Sequence, residues 1–415
     1  MDAVDPTVGT TYAETEQDAA PAPTPPGGPG FLASKFNLRM IAGVAAAHFV
    51  NDFYASFLAP LLPLVVGKFH ISFMLAGLLA TIFTTSSALS QPLFALLSDR
   101  MRTRILVALG PTLTVLGMGL LGLAPSYGAL IGVLLIAGVG TAAFHPQGAS
   151  TAGHASGTRK GMGVSLFVTG GELGFSLGPI LIALLVTTVG LRGTAMAAVP
   201  GLAACLVLWW TVARGVMIHA HRAEGLRADL QGAWRPLGLL YLSVLCRSII
   251  IQSYVTFLPL LLRARGGSLI AGGAAVFLFG GIGAIGGLVG GTLSDRVGRR
   301  AVLVVSFLLG IPLLLIFIRS QGTWAYPFLA LSGLTLYLTA AVTIVMGQEL
   351  LPRQASVASS IVMGLAWGMA GLSLTAVGAL ADAIGLASAL TAILALGLVA
   401  LIAVLMMPKA SAHAR

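Results

Sequence analysis

The chain has 415 residues, of which 57% are hydrophobic and only 9% are charged, and its mean hydropathy is +0.96. This scarcity of charge excludes an ordinary soluble globular protein and predicts that the chain lies in a lipid bilayer. The net charge of +10 does not indicate a nucleic-acid partner, because the basic residues lie in short segments between apolar runs.

The chain begins with residues 1–37, an acidic and proline-rich segment that predicts a disordered cytoplasmic tail. Apolar runs follow, each long enough to cross about 30 Å of hydrocarbon. They predict twelve transmembrane helices near 39–66, 72–97, 104–124, 128–151, 161–189, 193–213, 236–262, 269–293, 300–319, 323–348, 355–381 and 386–407. The domains predicted from this pattern are a six-helix bundle at 38–213, a cytoplasmic linker at 214–235, a second bundle at 236–407 and a tail at 408–415.

The basic residues also predict an orientation. If both termini are cytoplasmic, 17 of the 23 Lys and Arg residues lie on the cytoplasmic side. Because cytoplasmic loops carry an excess of Lys and Arg, we expect a multi-pass protein of the bacterial cytoplasmic membrane with both termini inside. The two cysteines, Cys205 and Cys246, lie in different apolar runs and predict no disulfide framework.

A charged motif recurs in the two halves, as Ser98-Asp99-Arg100 and as Ser294-Asp295-Arg296, 196 residues apart. Pro63 and Pro259 keep the same spacing. A recurrence at one spacing indicates an internal duplication, and duplicated helical bundles are typical of secondary transporters. The predicted fold is therefore an all-α integral membrane protein with two pseudo-symmetric six-helix bundles, which rock about a central site.

The second motif, Gly291-Thr-Leu-Ser-Asp295-Arg296-Val-Gly298-Arg299-Arg300, resembles the loop signature of the major facilitator superfamily at every defining position. In the first motif, Ala95 and Arg102 replace the two glycines of that signature. Other segments are similar to the fosmidomycin resistance protein group of drug and metabolite exporters: His48-Phe-Val-Asn51-Asp52, Phe144-His145-Pro146, Gly170-Gly171-Glu172-Leu-Gly174 and Gln348-Glu349-Leu-Leu-Pro352. That group leads us to expect asparagine in place of Glu172. The resemblance implies the major facilitator fold and proton-driven efflux.

Three ionisable residues, Asp52, Glu172 and Arg247, lie well inside predicted helices. Each costs about 2.5–3.5 kcal/mol at a helix centre unless it faces water or an opposite charge. The helix rise of about 1.5 Å per residue places all three at one level near the midplane, where substrate sites lie in transporters of this architecture. We predict that Asp52 and Glu172 exchange protons as substrate binds and leaves. The alternative is a permanent ion pair with Arg247 that fixes helix packing.

His48, Asn51 and Asp52 share one face of the first helix, because they stand at i, i+3 and i+4. His48 is a predicted proton relay, and a simple hydrogen bond to a neighbouring helix is the alternative. His145 precedes Pro146 and marks either a hinge or a ligand contact. No Cys, His or Met cluster in the sequence completes a metal site around the two histidines, so we predict no metal and no cofactor.

Arg247 has a planar guanidinium that suits carboxylate, phosphate or phosphonate groups. If it faces the cavity, it favours an anionic or zwitterionic substrate. If it is paired with Asp52 or Glu172, Arg247 does not determine the charge of the substrate. The other predicted substrate contacts are Asn51, His145, Gln252, Tyr254 and Trp367.

The charged motifs predict a gate at the cytoplasmic ends of the helices. We expect an ion-pair latch that forms in the outward-open state and breaks when the interior opens; the alternative is that these charges only enforce topology. The predicted gating residues are Asp99, Arg100, Asp295, Arg296, Arg299 and Glu349.

The absence of a Walker loop, a nucleophile elbow and a zinc motif predicts a protein that is not an enzyme. We predict a proton-coupled antiporter, powered by the proton gradient, that exports a small polar or amphiphilic drug or metabolite, with an anionic, phosphonate-like compound among the candidates. The alternatives are a proton-coupled importer of an organic anion and a non-transporting membrane receptor or scaffold. We expect a monomer whose partners are the substrate, protons and the bilayer.

Overall fold

A computed structural model of the protein describes residues 36–100, 103–157, 159–214, 226–352 and 355–408. Within these residues, twelve helices are long and apolar enough to cross a membrane. We label them α1 to α12 in chain order: Leu38–Phe69, Phe73–Ser98, Leu106–Leu123, Tyr127–Ala155, Met162–Val189, Leu191–Ala213, Ala233–Ala264, Leu269–Val297, Arg299–Arg319, Gly322–Leu350, Val357–Ile384 and Leu386–Met406.

The predicted helices are confirmed, and most of their ends lie within a few residues of the predicted ones. The helix that contains α7 extends further, because it begins at Leu226, inside the segment 214–235 that was predicted as a linker. The predicted tails and the middle of that linker lie outside the described residues.

The packing of the helices has the symmetry of a duplicated bundle. Helix α2 packs against α11, and α5 packs against α8. In the duplicated arrangement, α2 corresponds to α8 and α5 corresponds to α11. The contact between α2 and α11 is therefore the symmetry equivalent of the contact between α8 and α5. Helices α1 and α7 lie at the centre, where 61% and 89% of their most apolar windows are buried. The predicted architecture of two pseudo-symmetric six-helix bundles is therefore confirmed.

Glycines bring α2 and α11 together on one side of the bundle. A Cβ atom on Gly378 would lie 2.3 Å from the carbonyl oxygen of Phe73, and one on Gly371 would lie 2.4 Å from Cγ2 of Thr84. Small residues allow this close approach of two helices. About two turns further along α11, at Gly364, no described atom lies within 4 Å of the Cβ position. The two helices thus diverge, and we call the end that holds Phe73 the closed side and the opposite end the open side.

A carboxylate joins the two halves on the closed side. The Asp382 oxygens, near the end of α11, accept hydrogen bonds of 2.8 Å from the backbone amides of Phe73 and Met74. These amides belong to the first turn of α2 and have no acceptor within that helix. The Thr375 hydroxyl lies 3.0 Å from the hydroxyl of Thr81, about two turns deeper along α2 and α11. Helix α2 is therefore capped by a residue of the other half.

The substitution Asp382→Ala is expected to loosen the closed side. A carboxylate at a helix N-terminus stabilises the folded arrangement by about 0.3–2 kcal/mol. The upper half of this range corresponds to a factor of about 5–30 in the equilibrium between the closed and the loosened contact. Hydrogen–deuterium exchange of the Phe73 and Met74 amides should become faster, whereas Asp295→Ala, at the other end of the bundle, should leave it unchanged. Unchanged exchange in Asp382→Ala would show that this carboxylate does not hold the two halves together.

Candidate functional site

A carboxylate and two histidines meet where α1 packs against α4. The Oδ2 atom of Asp52 lies 3.2 Å from Nε2 of His48, and Oδ1 lies 3.8 Å from Nε2 of His145. The side chains remain partly open, with 18% of Asp52 and 30% of His145 exposed. The predicted pairing of His48 with Asp52 is present. The contact with His145 is new, because nothing in the spacing of the two segments places α4 beside this turn of α1.

The imidazole of His48 is held in a defined orientation by α5. Its Nδ1 atom lies 2.8 Å from the carbonyl oxygen of Phe167, and the two rings stack with centroids 4.2 Å apart. A carbonyl can only accept a hydrogen bond, so Nδ1 carries the proton and Nε2 is directed at Asp52. A Cβ atom on Gly171 would lie 2.4 Å from Nε2. Gly171 thus provides the space that the imidazole occupies, while a Cβ atom on Gly170 would lie 2.4 Å from the carbonyl oxygen of Ala45.

Asn51 has a supporting role in this structure, and its predicted contact with substrate stays a prediction. The side chain is fully buried. Its amide nitrogen donates to Oδ1 of Asp52 at 2.8 Å, and its amide oxygen accepts from the Thr114 hydroxyl at 2.9 Å. All of these contacts are with protein groups, so Asn51 orients Asp52. The sequence analysis did not identify Thr114, because a threonine in an apolar run has no distinctive pattern.

Glu172 is half-buried on α5 and lies within electrostatic range of both His48 and Asp52. Its charge also acts on the hydroxyl of Tyr337, which belongs to α10 in the other half. The two intramembrane carboxylates therefore belong to one group with the histidines.

Arg247 lies across from this group, on α7, and is buried. Its Nη1 atom donates to the Thr339 hydroxyl at 2.6 Å, while Nε is buried without a hydrogen-bond partner among the described residues. Within that part of the chain no ion pair joins Arg247 to Asp52 or Glu172, so the predicted alternative of a permanent pair is not observed. Thr339 follows a break between two helical segments of α10, at Leu338, which the sequence analysis did not detect.

The cavity between the two halves lies next to these groups, toward the closed side. Ala55, Phe175 and Gln252 line it, and each lies about one turn beyond Asp52, Glu172 and Arg247 respectively. The three charged residues do not themselves line the cavity, so their role at a substrate site stays a prediction.

The structure divides the other predicted substrate contacts. Gln252 and Trp367 line the cavity, and the Gln252 amide donates to the Trp367 carbonyl oxygen at 2.7 Å. Trp367 follows a π-helical turn, Ser360–Leu365, of the kind that often occurs at functional sites. Tyr254 does not line the cavity: it is fully buried, and its hydroxyl donates to the carbonyl oxygen of Leu390 in α12 at 3.4 Å. Its face of α7 points into the second half.

The ion pairs expected of the latch lie within one half. Arg299 lies 2.6 Å from Glu349 and 3.8 Å from Asp295, and all three residues belong to the second half. These ion pairs stabilise that half, and the gating role of the three residues stays a prediction. Arg296 is exposed. The side chains of Asp99 and Arg100 lie outside the described residues.

Comparisons with known proteins agree with this architecture. A family model described as Major Facilitator Superfamily matches residues 44–374. The chain is 29% identical to the fosmidomycin resistance protein of Escherichia coli K12, over 84% of this chain and 88% of that protein. It is 28% identical to an uncharacterized MFS-type transporter, YfnC, of Bacillus subtilis 168, over 89% and 93% of the two chains. Among solved structures, it resembles a bacterial homologue of the human lysosomal transporter Spinster, with a TM-score of 0.78, 15% identity and coverage of 90% and 97%.

Proposed function

Because the chain belongs to the Major Facilitator Superfamily, we propose that it is a proton-coupled antiporter that exports a small polar or amphiphilic compound by alternating access. One observation carries the proposal. Nε2 of His48 faces the Asp52 carboxylate at 3.2 Å, while the Nδ1 proton is donated to the Phe167 carbonyl. Two acceptor atoms at this distance repel each other unless a proton or another cation lies between them. This geometry makes the pair a proton-binding site.

The position of this site supports coupling to a substrate. Asp52 and Glu172 lie about one turn from the residues that line the cavity, so a bound compound alters the surroundings of both carboxylates. A proton bound at Asp52 and a substrate bound beside it then influence each other reciprocally. The name of the relative in E. coli, a resistance protein, favours export as the direction.

The difference between the two sides of the bundle supports alternating access. The structure is closed at the Asp382 cap and open at the end that carries Arg299 and Glu349. The distribution of Lys and Arg supports a cytoplasmic position for that open end, in a bacterial inner membrane with both termini inside. With this orientation we assign the structure to the inward-open state of the proposed cycle, in which the compound enters from the cytoplasm.

Sealed vesicles with an imposed pH gradient test the function. The purified chain should move protons only when a substrate is added, and the substrate should move in the opposite direction to the protons. A panel that contains fosmidomycin and simple phosphonates is the first choice of compounds. Movement in the same direction would establish uptake, and no substrate-dependent flux over a broad panel would favour a receptor or scaffold.

The charge of the substrate follows from Arg247. Its buried guanidinium has no acidic partner among the described residues, so we propose that it binds an anionic or zwitterionic group of the substrate. Arg247→Gln should raise KM for anionic compounds about 10–100-fold, because a hydrogen bond to a charged group contributes about 1.5–3 kcal/mol. Arg247→Lys should recover part of the loss. An equal rise in KM for uncharged compounds would show that Arg247 acts only through helix packing.

A further inference from the structure

The donor atoms of His48, Asp52 and His145 all lie within 4.8 Å of one another. The sequence analysis predicted no metal site, because the three residues come from distant segments with no ligand spacing. The structure joins two imidazoles and a carboxylate into one group. We propose that this group binds a divalent transition-metal ion, of the class of Zn²⁺ or Co²⁺, that enters from the open side.

The spacing of the donors suits such an ion. Metal–ligand distances of about 2.0–2.2 Å in a tetrahedral site place neighbouring donor atoms about 3.3–3.5 Å apart. The His48–Asp52 distance of 3.2 Å is close to this value, and the His145–Asp52 distance of 3.8 Å is slightly longer. The donor set as a whole extends over 4.8 Å, so metal binding requires His145 to move closer to His48. Nδ1 of His145 has no hydrogen-bond partner among the described residues that would have to be broken for this movement.

The surroundings of His48 are those of a metal ligand. Histidine ligands usually donate their second ring N–H to a carbonyl or a carboxylate, which fixes the tautomer and the orientation of the ring. The Phe167 carbonyl does this for Nδ1 at 2.8 Å, and Nε2 is left with its lone pair directed at the carboxylate. A metal ion placed between Nε2 and Asp52 removes the repulsion between these two acceptors, as a proton does.

The donor set also determines the class of ion. Imidazole nitrogen favours Zn²⁺, Co²⁺ and Ni²⁺, whereas Mg²⁺ and Ca²⁺ favour sites made of oxygen atoms. Glu172 lies within electrostatic range of His48 and Asp52 and adds a second negative charge beside the ion. With both carboxylates ionised, the charge of a divalent ion is balanced. Water then completes the coordination.

Calorimetric titration of the full-length, tag-free protein in detergent with ZnCl₂ tests the site. One ion should bind per chain. Loss of a group that only supports a metal ligand lowers metal affinity about 10–100-fold. Asp52→Asn and His145→Gln each remove a ligand, so each should lower the Zn²⁺ affinity by at least that factor. His70→Asn is the matched control, since His70 lies at the closed side with a φ of 50°, which asparagine tolerates. The pair His219→Asn and His221→Asn controls for the linker histidines.

Absorption spectra of the unmodified protein with Co²⁺ add a readout that needs no variant. We expect the spectrum of a Co²⁺ ion with a low coordination number and nitrogen ligands. The absence of binding, or a Zn²⁺ affinity that the Asp52 and His145 variants do not change, would overturn the metal site.

A bound ion also occupies the place of the proton, so ZnCl₂ should inhibit substrate-evoked proton movement in vesicles. Only this consequence rests on the proposed function. Binding without inhibition would contradict the proposed proton route and leave the metal site intact.

Discussion

Asp52→Asn is expected to reduce substrate-evoked proton movement to the background of protein-free vesicles. Asparagine has the size of aspartate and can still accept the hydrogen bond from Asn51, which is 2.8 Å long in the structure. It cannot take up a proton, and it removes the charge that faces His48 and His145. The fold should therefore persist while coupling is lost. Exchange of labelled for unlabelled substrate, which needs no net proton transfer, should continue.

The measurement compares the two processes in the same vesicles. A pH-sensitive dye reports proton movement, and labelled substrate reports exchange. Asp295→Asn is the control, because Asp295 is an exposed carboxylate beside Arg299, on the open side and outside the cluster. Proton movement of normal size in Asp52→Asn would contradict the assignment of Asp52 as the proton carrier and would direct attention to Glu172.

A disulfide between α2 and α11 is expected to stop transport. The hydroxyl oxygens of Thr81 and Thr375 lie 3.0 Å apart, so the double variant Thr81→Cys with Thr375→Cys places two sulfur atoms within bonding reach. Oxidation would fix the closed side, and alternating access requires that side to open. Transport should fall to background on oxidation and return when a reductant is added.

Each single cysteine variant serves as a control and should be insensitive to the oxidant. The native Cys205 and Cys246 are each only 3% exposed, so their replacement by serine provides a background free of other thiols. If the cross-linked protein transported at the normal rate, the contact between α2 and α11 would be permanent and the proposed cycle would be wrong.

The sequence predicted the fold and the level of the site because both depend on signals visible along the chain. Twelve apolar runs stand out by length alone. Asp52, Glu172 and Arg247 stand out because an ionisable side chain is rare inside such a run. The position of each in its helix then gave the shared level at the cavity.

The contacts of individual side chains needed information about neighbours in space. Helical periodicity places Asn51 on the face of Asp52 and Tyr254 on the face of Arg247, but it does not show whether a neighbouring helix covers that part of the face. Thr114 covers Asn51, and α12 covers Tyr254. Their contact with substrate therefore stays a prediction.

Residues that the sequence analysis missed are of types that are common inside membrane helices. Tyr337 and Thr339 flank a break in α10 and lie beside Arg247, yet tyrosine and threonine carry no charge to mark them. Asp382 is charged, but it lies just beyond the predicted end of its run at 381, where a charge indicates only the membrane surface. Its two backbone donors, the amides of Phe73 and Met74, became apparent only when α2 and α11 were seen together.

The cap on α2 has a consequence for how this protein can diverge. Asp382 bonds to main-chain amides of Phe73 and Met74, and every amino acid except proline provides such an amide. The cap therefore depends little on which residues stand at positions 73 and 74. It does depend on the Asp382 carboxylate, because an apolar side chain at that position cannot accept the two hydrogen bonds. Substitutions at positions 73 and 74 therefore leave the cap intact, whereas a Cβ atom on Gly77 or Gly378 would lie 2.3 Å from a backbone oxygen across the junction, so selection there also acts on these glycines.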